Sequence, residues 1–149
     1  MNTKGLAEAE WRKVSDCAEE VRKIRVRFSS LLQVIQAVAT KESHRIPGLQ
    51  VDIDSPSETA EVRSFAGKSI VRLGWDSCGL ALEGVGIVSS KIGSEEKDIE
   101  ILKITIPHHG SIFFSLDGER RIQQEPHDSG RFAYEVLMNI VRKQVDLSA

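Results

Sequence analysis

The stretch LLQVIQAVATKESHRIPGLQVDID, residues 31–54, decides the fold, because the hydrophobic period changes inside it. Up to Ala39, apolar residues recur at steps of three and four, the spacing of one face of an α-helix. Beyond Ile46-Pro47-Gly48, the run Leu49-Gln50-Val51-Asp52-Ile53-Asp54 alternates apolar and polar residues, as a half-buried strand does. Proline disfavours a helical residue before it and glycine suits a turn, so the helix gives way to sheet at this point.

Toward the N-terminus the helical pattern continues. No proline occurs between Leu6 and Ile46, and Trp11, Val14, Ala18, Val21, Phe28, Leu32, Ile35 and Ala39 form one stripe, interrupted where Arg25 takes its turn. The spacing predicts a helix of about 35 residues, roughly 50 Å long. A break at Ser29-Ser30 would divide it into two shorter helices.

Toward the C-terminus, segments near Glu61–Phe65, Ser69–Trp75, Leu80–Ser89, Asp98–Ile106, Ser111–Leu116 and Glu119–Gln123 read as strands between short polar corners. Asp76-Ser77-Cys78-Gly79 reads as a turn, and Asp117-Gly118 is a two-residue hairpin signal. The apolar phase of Asp98–Ile106 shifts between Ile101 and Leu102, which predicts a bulge. Gly84 and Gly86 within a strand call for a bulge or a close approach of the long helix, or leave room for a ligand. After Pro126, Asp128 or Ser129 can cap a last helix. Its buried face is Phe132, Val136, Leu137, Ile140 and Val141, with Arg142 and Lys143 suited to its C-terminal dipole.

Short connections favour antiparallel neighbours. The expected fold is therefore α+β: a long N-terminal helix, a five- to six-stranded, mostly antiparallel meander sheet, and a C-terminal helix. One domain covers residues 1–149, with a helical segment at 1–45, the sheet at 46–125 and the last helix at 126–149. At 149 residues such a chain buries about two-thirds of its unfolded surface.

The net charge is −2 at pH 7, so no global attraction to nucleic acid or acidic membranes exists. Residues 1–45 hold 9 Lys and Arg against 6 Asp and Glu, making a mildly basic helical head on an acidic body. No apolar run is long enough to span a membrane. Two cysteines, Cys17 and Cys78, are too few for a disulfide framework and point to a reducing, cytoplasmic setting.

Candidate chemistry is sparse. His108 and His109 end one strand and His127-Asp128 precedes the last helix, and in a meander the two corners could share one end of the sheet as a metal site. The spacing matches no named metal motif, and polar corner residues explain it equally. Cys78 sits beside Asp76, whose charge raises a thiol pKa, and Cys17 falls next to the apolar stripe, where it reads as helix packing. No nucleophile elbow, P-loop or dinucleotide fingerprint is present, so no cofactor is implied. Arg22-Lys23-Ile24-Arg25-Val26-Arg27 could contact phosphates, but a helix spreads these cations around its cylinder and no aromatic platform accompanies them.

The long helix carries more information than these residues. Strands of five or six residues reach about 20 Å, so a helix of roughly 50 Å must outrun the sheet. Part of its apolar stripe then needs another partner, and the same helix in a second subunit is the simplest. Trp11, Val14, Val21, Phe28 and Leu32 are the expected interface of a homodimer, or of a complex with another protein. The functional expectation is a small interaction domain of the adaptor, chaperone or immunity type. The alternative is a metal- or small-molecule-dependent enzyme at the His108/His109/His127 end, with Trp75, Phe113 and Tyr134 as pocket candidates.

Overall fold

A computed structural model of the chain describes residues 3–78, 81–91, 97–116 and 120–148. Helix α1 (Thr3–Glu42) leads into strands β1 (Gln50–Asp54), β2 (Thr59–Ser64), β3 (Gly67–Cys78), β4 (Ala81–Lys91), β5 (Asp98–Pro107), β6 (Phe113–Leu116) and β7 (Arg120–Gln123). Helix α2 (Ser129–Ser148) follows. The sheet is an open antiparallel meander in the order β1-β2-β3-β4-β5-β6-β7. Seven strands replace the expected five or six, because every one of the seven segments with strand-like patterning pairs into the one sheet, the short β6 and β7 included.

Helix α1 is continuous through Ser29-Ser30, as the spacing predicts, and the alternative of a break there does not occur. It is 40 residues long, about 60 Å at 1.5 Å per residue. Its end follows from the residues around Pro47. The Glu42 carbonyl accepts bonds from the Arg45 and Ile46 amides, and the Phe65 amide donates to the Pro47 carbonyl at 2.9 Å. Gly48 has φ +73°, and a Cβ there would press on the Phe65 amide, so only glycine fits that corner comfortably.

Both helices lie on one face of the sheet. Alternation places Val51, Ala60, Val62, Val71, Leu102, Ile104, Ile106 and Phe114 against them. From above, α1 contributes Ile24, Phe28, Leu31, Leu32, Ile35 and Ala39, while α2 contributes Phe132, Ala133, Val136, Leu137, Ile140 and Val141. The other face carries exposed charges such as Asp52, Arg63, Lys68, Arg72 and Lys103. One face is therefore core and the other is wet, as in many antiparallel sheets.

Two glycines set how closely α1 approaches. Gly84 pairs with Trp75, and Gly86 with Leu73, both on the helix-facing side. A Cβ on Gly84 would overlap Ile24 Cγ2, and one on Gly86 would lie 3.5 Å from Phe28 Cε2. The helix itself fills the space above these glycines. The bulge falls on β5, where the register shifts opposite Val88/Ser89: Val88 pairs with Leu102 and Ser89 with Glu100, leaving Ile101 as the extra residue.

Two local expectations are corrected. Asp76, Ser77 and Cys78 extend β3 instead of turning, because they pair with Glu83, Leu82 and Ala81 across the hairpin. Helix α2 runs on to Ser148, so Arg142 and Lys143 stand before its last turn. Its start is capped by Asp128, whose Oδ1 accepts the Arg131 amide at 3.0 Å. The Asp117-Gly118 turn lies outside the described residues.

Candidate interaction surface

The sheet divides the apolar stripe of α1 into two parts. Phe28 and Leu32, expected at an interface, are 0% and 2% exposed and belong to the chain's own core. They cannot face a partner while this core is formed. Trp11 and Val14 are 73% and 60% exposed. Val21 is half-buried, at the border where α1 leaves the sheet. Residues 8–19 are exposed without exception, so about half of α1 projects past the body. Cys17 is exposed with a free thiol, correcting its assignment to helix packing, and its neighbours on α1 from Glu8 to Glu19 are exposed as well.

The basic segment at the border is largely engaged within the chain. Arg22 pairs with Glu19 at 2.5 Å and Arg25 with Glu58 at 3.8 Å. Arg27 donates to the carbonyls of Pro107 and Gly110, fastening the β5–β6 corner to α1. Burial lowers the guanidinium pKa from its ordinary value, yet the group stays charged and both bonds are charge-assisted. Hydrogen bonds to charged groups contribute about 1.5–3 kcal/mol, and exposed carbonyls recover part of this from water. Arg27→Met keeps the stem and removes the donors. It is expected to cost about 1–2 kcal/mol in urea unfolding and to speed amide exchange between His108 and Ile112.

The histidines do not assemble into a donor set. His109 Nδ1 and His108 Nε2 lie 2.8 Å apart at the exposed β5–β6 corner, each occupied by the other. The Asp128 carboxylate is used as the α2 cap. Among the described residues, no three His, Cys, Asp or Glu side chains come together to hold a metal ion. A cleft of about 410 Å³ opens where β6 splays from β5, lined by Glu100, Lys103, Thr105, Phe113, Ser115 and Lys143 among others. Another of about 350 Å³ runs between β7 and α2. Neither is lined by a histidine. Of the three aromatic pocket candidates, Phe113 is covered by the Arg121 guanidinium 3.6 Å from its ring, and Trp75 is 42% exposed on the α1 side. Tyr134 is half-buried on α2 and lines neither cleft.

One polar cluster was not expected. Gln144, 1% exposed, donates to Ser69 Oγ at 2.8 Å and to the Val62 carbonyl at 3.1 Å, and accepts from Ser64 Oγ at 2.6 Å. Ser69 in turn bonds Ser90. The signal was present in the sequence: Gln144 stands four residues after Ile140, inside the apolar face of α2. Among the described residues, no buried side-chain polar atom lacks a partner, so the cluster fixes the seating of α2 and leaves nothing to bind.

No protein-family model matches the chain, and no curated protein or solved structure matches it. No helix among the described residues is long and apolar enough to cross a membrane.

Proposed function

We propose that the protein is a small interaction module that self-associates through the N-terminal half of α1. The observation that carries this reading is the exposure of Trp11 and Val14 on a helix that has left its own sheet. In proteins, packing of an amphipathic face supplies most helical stability. A projecting half-helix that carries Trp11 and Val14 among charged residues gains that packing from a partner. An exposed thiol at Cys17 suits a reducing compartment, which supports a cytoplasmic setting. The alternative, an enzyme centred on His108, His109 and His127, draws no support from a shared donor cluster.

Light scattering across a micromolar concentration series tests the reading. The natural chain is expected to reach twice its 16.5 kDa mass. Val14→Asp buries a charge in the contact and is expected to return it to monomer with its melting temperature for the sheet core unchanged. A natural chain that stays monomeric throughout would sink the proposal.

A further inference from the structure

Strand β5 runs beside β4 for its whole length, from Asp98 to Pro107. On its other side it meets β6 only at Ile104 and Thr105, opposite Phe114 and Phe113. The same register carried on would set Ser115 against Lys103 and Leu116 against Leu102. Those rungs are not made, while β6 stays paired with β7 through Ser115–Arg121 and Leu116–Arg120. Residues 98–103 of β5, about 20 Å of strand, therefore have no strand neighbour on that side among the described residues. In an antiparallel ladder alternate residues aim N–H and C=O at each neighbour, so about half of this stretch presents both groups to the cleft between β5 and β6. The outer edges of the sheet offer less. At β1, Gln36 Nε2 donates to the Val51 carbonyl at 3.1 Å, and β7 is only 4 residues long.

The side chains around this open edge differ by face. Ile99 and Leu102 pair with Ser90 and Val88, both buried beneath the helices, so they stand on the core face. Leu116 joins them, two residues after the buried Phe114. Ile99 is nevertheless 37% exposed, an apolar side chain on the core face that its own chain leaves open. The opposite face carries Lys103 and Phe113, with the Arg121 guanidinium over the Phe113 ring. Lys143 reaches the cleft from α2. Lys103 stands 4.0 Å from Glu100, and among the described residues no carboxylate lies within 4 Å of Lys143. Lys103 and Lys143 thus outweigh Glu100, the one acid in the cleft lining, and Arg121 adds to the excess.

We infer that residues 98–103 accept an added strand, and that this strand is an extended acidic segment of another protein. Backbone pairing supplies the attachment, as wherever a peptide extends a sheet at an open edge. Alternation then sorts its side chains. One row falls beside Ile99, Leu102 and Leu116 and is apolar; the other falls beside Lys103 and Arg121 and is acidic. A basic segment would set like charges against Lys103 and Lys143. The surface is separate from α1 and does not depend on self-association.

Amide hydrogen exchange and fluorescence anisotropy test the inference. In the natural chain alone, the amides of residues 98–103 that point away from β4 are expected to exchange fast at every protein concentration. The probe is a short fluorescein-labelled peptide of alternating valine and glutamate. It is expected to bind and to slow those amides, leaving β1 and β7 unchanged. A peptide of alternating valine and lysine is expected to bind at least about tenfold more weakly. The acidic peptide N-methylated at alternate residues, which loses the donors of one edge, should be weakened as much. Lys103→Glu with Lys143→Gln changes one exposed and one half-buried side chain outside the core. The pair is expected to weaken the acidic peptide about tenfold while urea unfolding stays nearly the same. No binding of the acidic peptide, equal binding of the lysine or methylated peptide, or protection along β1 or β7 instead would overturn the proposal. Amides that become protected only as protein concentration rises would assign the edge to a second copy. Amides protected at every concentration would show it covered within the chain. Either result also overturns the peptide.

Discussion

Phe28→Ala is expected to remove about 3–5 kcal/mol of folding stability, the usual cost of truncating a buried aromatic side chain. Native domains hold about 5–15 kcal/mol in total, so this one change consumes a large share. The residue is fully buried and seated over Gly86, with Ile104 beside it. The glycine has no side chain to relax into the vacated volume, so the cavity persists and the cost belongs at the upper end. Val14→Ala is the control from the same stripe. Val14 is 60% exposed, and its truncation is expected to change monomer stability by less than about 0.5 kcal/mol. Its effect should appear in the concentration dependence of association. Urea unfolding at low protein concentration, compared with light scattering at high concentration, separates the two. Equal losses of stability at both positions would mean that α1 is covered along its whole length.

That contrast locates what the sequence could and could not convey. The stripe from Trp11 to Ala39 announced a long helix, and Pro47-Gly48 announced its end, because both depend on local spacing and backbone chemistry. The phase slip at Ile101 revealed the β5 bulge for the same reason. Nothing local, however, distinguishes Val14 from Phe28. The difference arises from where a seven-stranded sheet happens to end, which is decided by pairings distant in sequence. The same cause hid the extension of β3: Asp76-Ser77-Cys78 has turn-like composition, but antiparallel pairing with β4 supplies the backbone bonds that override it. Overrunning the sheet was foreseeable from length alone. The division of the interface candidates between core and projection was not. Gln144 was legible as a polar intrusion in the α2 stripe, while its partners Ser64 and Ser69 come from strands about 75–80 residues away, as their bonds record.

Gly84→Ala is the second substitution with a large expected effect, and its partner can be named. The added methyl would overlap Ile24 Cγ2 and come within 3.2 Å of both the Ile106 carbonyl oxygen and Leu73 Cδ1. Because Ile24 is fully buried beneath α1, it has no solvent to retreat into, and the helix itself must lift. Overpacking of this kind costs typically about 1–3 kcal/mol. Lifting α1 at Ile24 also disturbs Arg27, one turn on, and with it the anchored β5–β6 corner. Ile24→Ala alone is expected to cost about 2–5 kcal/mol by opening a cavity over Gly84. Together the two changes should cost less than their sum, since the new methyl fills part of the space that the isoleucine leaves. A favourable coupling of about 0.5–3 kcal/mol is expected from a double-mutant cycle in urea unfolding. Simple additivity would show that the glycine serves the strand's backbone instead of the seating of α1. Coupling would establish that Gly84 fixes the level at which the helix departs from the sheet, and hence how much of it is left to meet a second copy.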